Sequence, residues 1–313
     1  MNPVENYIMQ LKMWRRSKQY IKSMSYVLNQ FNDLCDQNKV DILDADEYTL
    51  HSFVERLEQE NKSESTLNLY VKSIVRFYDY IVDSEKYELV KNPMKSYSKQ
   101  IKIKTVNHSR PSKNVQEISE FIRKIHHPRD RAIIILFAKT GIRNGELIAL
   151  DMDDLDLDKN ILTVDKHVDD KARNTITDGR KNGNISIIPI DDETKRALQF
   201  YLAIRLSTNN EKALFTSYTG KRMYENDISR LIKKWTIKTG LCVKSNDFDK
   251  KIVPHYFRGW FTFQLQINGC NPYVIDKIRG DKPKNTRDYY SHQFEDIEYI
   301  RKEYLRTVPQ FGI

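Results

Sequence analysis

The sequence has little cysteine and no long apolar stretch, and each shortage narrows its class. Only three of its 313 residues are cysteine, Cys35, Cys242 and Cys270. Their number is odd, they stand far apart and they form no C-x-x-C pair, which argues against a disulfide framework or a zinc ribbon. The seven histidines show no H-E-x-x-H or comparable ligand spacing, so no metal cofactor is expected. The longest uninterrupted apolar run is the seven residues from Ala132 to Ala138, whereas a membrane-spanning helix needs about 20. The opening residues, MNPVENY, lack the basic start and apolar stretch of a secretory signal. No membrane partner is expected, and the expected location is the cytoplasm. Neither an internal repeat nor a low-complexity tract is present, which removes solenoid and fibrous architectures.

What the sequence has is positive charge: 52 Lys+Arg against 43 Asp+Glu, a formal net charge of +9. A basic excess suits a polyanionic partner, because cations that neutralise phosphates gain free energy from counterion release. By itself it suits a solvated basic face equally well. The excess is uneven along the chain, with a net charge of −4 over residues 1–90 and +13 over residues 91–313.

The fold class expected is mainly α, with a small β-sheet confined to a second domain. Apolar residues recur three or four apart over 14–36 (Tyr20, Met24, Val27, Phe31, Leu34), and a second amphipathic segment covers 47–60. A third carries Leu67, Tyr70, Ile74, Phe77 and Ile81 on one side behind a Ser63 or Ser65 cap, with Asn68, Lys72 and Arg76 on the other. Residues 1–90 therefore read as a helical domain. The stretch 91–110 has six basic residues, no acidic one and no helical periodicity, and reads as a basic linker; Asn92 precedes Pro93, which disfavours a continuing helix. From 111 to 313 the texture is α+β. Helices are expected over 114–126, 129–139, 192–205, 224–238, 256–268 and 294–305, a short one from Arg143, and strands over 161–164 and 185–188.

Three segments hold residues suited to phosphate chemistry. The segment Thr140 to Leu147 reads TGIRNGEL, which places Arg143 between glycines at a helix start, free to reach an anion with the helix N–H groups; a surface pair with Glu146 is the plainer reading. His255 and Arg258 stand three apart, so one helical turn presents an imidazole and a guanidinium together. The segment Arg279 to His292 contains Tyr289 and Tyr290 in a basic setting, and a tyrosine is a competent nucleophile at phosphorus where arginines stabilise the developing charge.

Taken in order, these segments resemble the tyrosine recombinase, or phage integrase, family over most of the chain. The resemblance implies a helical (SAM-like) core-binding domain over 1–90 and a catalytic domain over 111–313. TGIRNGEL matches the family's T-G-[LMI]-R-x-x-E-L, which makes Arg143 the first catalytic arginine and Glu146 its structural support. The family's β-hairpin lysine lies eight residues before a strand-ending proline, and Pro189 puts Lys181 there, with Arg180 as a neighbouring competitor. His255 and Arg258 match H-x-x-R. The family's I-Y-T-H ending aligns on Tyr290 as nucleophile, which leaves Tyr289 for packing and His292 open between packing and function. Where many members have Leu-Gly-His or Leu-Gly-Trp, this chain has Arg279-Gly280-Asp281, a variant similar to that of archaeal virus and plasmid integrases. Asp281 either hydrogen-bonds a catalytic group or fixes the loop; near a phosphate it needs a cationic partner such as Arg279 or Lys282.

The resemblance implies metal-free cutting and rejoining of double-stranded DNA attachment sites through a 3′-phosphotyrosine link, without cofactors. It also implies a clamp around the duplex, with Lys72, Arg76, Lys91, Lys95, Lys99, Lys102 and Lys104 on the backbone, and a tetramer in which residues 294–313 pack either on a neighbour or on their own domain. A type IB topoisomerase and an inactive recombinase relative that only binds DNA are the competing functions. Asp151, Asp153, Asp154, Asp156 and Asp158 raise a two-metal nuclease site as a further alternative, without a histidine or glutamate nearby to complete it. The acidic residues from Asp41 to Glu47 suit a solvated helix start.

Overall fold

A computed structural model describes residues 2–101, 112–170, 175–180, 185–208, 210–243, 251–281 and 296–313, without the side chains of residues 169 and 170. The chain divides into two units, Met1–His108 and Ser109–Ile313.

In the first unit each helix begins where a side chain can accept an otherwise unpaired N–H. Asn2 caps α1 (Pro3–Met13), with Pro3 in the first turn, and Ser17 caps α2 (Lys18–Gln37). Asp46 and Thr49 cap α3 (Glu47–Gln59) reciprocally, and Ser63 caps α4 (Glu64–Asp83). The Asp46 cap places the acidic Asp41–Glu47 stretch at a loop and helix start, and the Thr49 N–H holds the Asp46 carboxyl below its ordinary range. Phe31, Leu50, Phe53, Ile74, Phe77 and Ile81 are fully buried between these helices, each burial contributing about 2 kcal/mol. Lys72 and Arg76 lie on the opposite, exposed side of α4.

The basic stretch read as a linker begins differently. Met94–Gln100 forms a helix, α5, packed on α3 and α4, with Met94 fully buried in the first unit's core. Asn92 anchors it, donating to the Val75 carbonyl and to Asp79 (both 2.9 Å) and accepting from the Met94 N–H. With one fully buried apolar residue, α5 is too short to show a helical period; its partners lie on α4 and, more than thirty residues before it, on α3.

The second unit is built around α7 (Pro128–Thr140), whose residues 132–138 are all at most 1% exposed. A helix apolar on every side belongs inside a core. It packs beside α9 (Asp192–Ala203) and α11 (Pro254–Ile267), and Phe257 stacks between Phe121 of α6 (Val115–Arg123) and Phe137 of α7. After α8 (Asn144–Ala149) come β1 (Leu155–Asp156), β2 (Ile161–Val164) and β5 (Ser186–Pro189), joined antiparallel in the order β1-β2-β5, with Leu162 opposite Ile188. A polar antiparallel pair that hydrophobic patterning does not reveal, β3 (Lys166–Asp170) and β4 (Thr175–Asp178), lies between them in sequence. Then follow α10 (Glu225–Lys238), α12 (Pro272–Arg279) and α13 (Ile297–Thr307).

The last residues settle on their own unit. Ile300, Tyr304 and Phe311 are buried in its core, and the Phe311 and Ile313 N–H groups donate to Glu193. Lys139, completely buried, pairs with Asp191 and Glu193 and lies over the Phe311 ring.

Candidate active site

Gly141 ends α7 in the left-handed region (φ 60°), where an added Cβ would stand 2.6 Å from the Phe261 ring. The turn directs Arg143 to the start of α8. Its backbone N–H donates to Glu146 Oε2 (3.0 Å) and its Nη1 to Glu146 Oε1 (2.9 Å). Glu146 is thus the structural support expected of it. Burial pushes its pKa up, but hydrogen bonding and charge from Arg180, joined by Arg143, outweigh this and hold it below the ordinary carboxylate range.

Arg180, the competitor for the lysine's place, has a fully buried side chain. Nε and Nη2 grip both Glu146 oxygens (2.9 and 2.7 Å); Nη1 donates to Ser186 Oγ (2.6 Å) and the Ile278 carbonyl (3.1 Å); Nη2 also reaches the Arg279 carbonyl (2.6 Å). A guanidinium has five N–H donors, and all five are engaged, so Arg180 is a structural tie and not a proton donor. Gly280, which caps α12 in the left-handed region (φ 63°), leaves the space that the guanidinium fills.

Arg258 sits one turn into α11 and is 3% exposed. Its Nη1 donates to the Gly141 carbonyl (2.6 Å) and its Nη2 to the Arg279 carbonyl (3.0 Å) and to Asp281 Oδ1 (2.6 Å). Burial brings its pKa down to about 10, with Arg279 and Arg143 repelling it and Asp281 and Glu146 opposing the fall; at neutral pH it stays charged. Arg143 Nη2 donates to the same Oδ1 (2.7 Å), and Arg279 Nη2 pairs with Oδ2 (2.9 Å). The two expected arginines therefore meet at one carboxylate, together with Arg279, whose guanidinium the family pattern does not predict. His255 is exposed on the first turn of α11, one turn from Arg258.

Lys181, Tyr289, Tyr290 and His292, with Lys102 and Lys104, lie outside the described residues. Lys91, Lys95 and Lys99 are exposed, Lys95 pairing with Asp79 (3.3 Å). Three of the five aspartates of the run are engaged by other side chains or by backbone. Asp151 pairs with Arg222 and Lys166, Asp154 holds Lys166 (3.0 Å) and caps its own turn, and Asp156 accepts from the Lys159 N–H (2.8 Å). Among the described residues no group of three or more histidines, cysteines or acids is placed to hold a metal ion, and no helix is long and apolar enough to cross a membrane.

The phage integrase family model matches residues 111–296, more than half of the sequence, and the chain belongs to that family. Its activity class is site-specific DNA recombination. Tyrosine recombinase XerC of Thermodesulfovibrio yellowstonii is 25% identical over 98% of this chain and 96% of its own length. Tyrosine recombinase XerA of Pyrococcus furiosus is 25% identical over 92% of this chain and 88% of its own. Among solved structures, the Tn1549 transposon integrase in complex with transposon right end DNA has the same fold (TM-score 0.69, 20% identity, 98% of this chain and 99% of that one). So does a lambda integrase dimer bound to a core site (TM-score 0.69, 13% identity, 90% and 94%).

Proposed function

We propose that the chain cuts and rejoins duplex DNA with Tyr290 as nucleophile, and that it serves as the integrase of a mobile element. The Tyr290 Oη attacks the scissile phosphorus and gives its proton to His255. The bond from phosphorus to the 5′ oxygen breaks, and Lys181 supplies the proton to that oxygen. Arg143 and Arg258 stabilise the charge on the non-bridging oxygens, each contributing about 10²- to 10³-fold in rate. The product is a 3′-phosphotyrosine ester close in energy to the original diester, so a 5′-hydroxyl of another strand reverses the step without ATP. Arginines supply the charge stabilisation that a Lewis acid would otherwise provide, and cleavage is expected to continue in chelator.

The observation that carries this reading is the convergence of Arg143 and Arg258, from helices far apart in sequence, on one anion at 2.6 to 2.7 Å. The exposed Lys72 and Arg76, with Lys91, Lys95 and Lys99, suit phosphate contacts along the backbone, and Lys102 and Lys104 extend the same basic run. Strand exchange requires two DNA sites, hence four protomers, and a solved member of the fold is a dimer on one core site. The Arg279-Gly280-Asp281 variant and the fold shared with a transposon integrase support the mobile-element role and an archaeal virus or plasmid as its source. Trapping a covalent adduct on a nicked suicide substrate tests the chemistry. Wild type forms the adduct and Tyr290→Phe does not; adduct from Tyr290→Phe removes the nucleophile assignment, and none from wild type removes the cleavage reading.

A further inference from the structure

The two carboxylate oxygens of Asp281 have different company. Among the described residues, Oδ1 accepts from Arg143 and Arg258, the arginines given above to the scissile phosphate, whereas Oδ2 pairs with Arg279. Both hydrogens of Arg258 Nη2 are engaged, one by the Arg279 carbonyl and one by Oδ1. A phosphate oxygen can reach that nitrogen only by displacing one of these acceptors. The carbonyl is fixed at the end of α12, where Arg180 also holds it. The Asp281 side chain is 19% exposed and turns about its own bonds. Were the carboxylate to remain on Oδ1's position, it would stand as a like charge beside the incoming phosphate, inside a site where charges are weakly screened.

We infer that Asp281 is an internal stand-in for the scissile phosphate, and that Arg279 is the positioning residue that retains the carboxylate through Oδ2 when the phosphate replaces Oδ1 on Arg143 and Arg258. Three guanidiniums with no anion among them would repel one another; Asp281 keeps the arginines together and aimed until DNA arrives. Arg279 lowers the barrier to exchange by offering the displaced carboxylate a charge-assisted partner. The inference rests on the reading of Arg143 and Arg258 as phosphate ligands.

The test uses the full chain with inorganic phosphate as probe, affinity being read by calorimetric titration and by the shift of the second unit's unfolding transition. Asp281→Asn is expected to bind phosphate about tenfold more tightly or better, and Asp281→Ala, made in case the amide re-pairs within the site, to tighten it as well. Arg279→Met is expected to weaken phosphate binding in the otherwise unchanged chain and to have no effect once Asp281 is replaced. Unchanged or lost binding in both Asp281 variants overturns the stand-in. An Arg279→Met effect that persists in Asp281→Asn makes Arg279 a direct ligand and overturns its positioning role. Arg143→Ala in the Asp281→Asn background addresses the underlying reading separately: undiminished phosphate binding there means that Arg143 is no phosphate ligand, and the site assignment itself falls.

Discussion

Replacing Arg180 by methionine removes a side chain of similar length and no solvent exposure, together with five hydrogen bonds. It leaves Glu146, 1% exposed, with Arg143 as its remaining cation. Breaking a buried pair from one side costs about 3 to 5 kcal/mol, because an uncompensated charge remains in a medium that solvates it poorly. For a unit of about 200 residues, 1 kcal/mol corresponds to about 2 to 4 °C in Tm, so the second unit's transition should fall by about 6 to 20 °C. Scanning calorimetry of the full chain reads this directly, since the first unit's transition serves as an internal reference. In a Glu146→Gln background the same substitution should cost clearly less, because no buried charge is then abandoned. Arg180→Lys should lie between, retaining the charge without the planar fork that matches both Glu146 oxygens. A Tm change under about 3 °C for Arg180→Met would refute the reasoning and make the buried tie energetically idle.

Other consequences are as direct. Gly280→Ala combines a left-handed backbone with a methyl group directed at the Arg180 guanidinium; the backbone alone costs about 1 to 2 kcal/mol, and adduct yield on the suicide substrate should fall with stability. Gly259→Ala is the control, since nothing stands within 4 Å of the added carbon and a helical alanine gains about 0.5 to 1 kcal/mol over glycine in urea-unfolding measurements. Lys72→Ala and Arg76→Ala should each weaken DNA binding across unrelated sequences and reduce the salt slope of log K by about 0.9, measured by titration over a potassium chloride series. Because Glu146 is held below the ordinary carboxylate value of about 4.3, its stabilisation is complete above that pH and is lost as pH falls through the lowered folded value. Acid unfolding of Glu146→Gln should therefore be flatter than that of wild type below about pH 4.

Helix α4 is legible because its apolar residues keep a 3.6-residue period behind a serine cap, and α7 because seven apolar residues in a row fit only a core. The short elements escape that logic. Helix α12 has eight residues and β3 and β4 are mostly polar, so their order depends on packing and on cross-strand hydrogen bonds rather than on local pattern. The site divides along the same line. Arg143 and Arg258 stand in motifs visible in the sequence, and the fold brings both to Asp281, whereas the burial of Arg180 contradicts what its polar neighbourhood suggests. Its partners come from residues 34 positions before it and nearly 100 after it. Arg279 is legible as a partner for Asp281, because an aspartate beside a phosphate needs a neighbouring cation; the family pattern has an apolar residue at its place, and only the folded chain shows that Arg143 and Arg258 share the same carboxylate.

The carbonyl of Arg279, at the end of α12, accepts from Arg143, Arg180 and Arg258, which come from three separate parts of the chain. One turn of helix thus decides whether three guanidiniums have a common address. If that turn frays, all three lose an acceptor at the same moment, while Glu146 still holds Arg143 and Arg180 and the Gly141 carbonyl still holds Arg258. Local opening and catalytic competence then become a single equilibrium, visible as amide hydrogen exchange in α12. Because cutting and rejoining pass through the same arginine-stabilised state, opening of that turn would withhold both steps together.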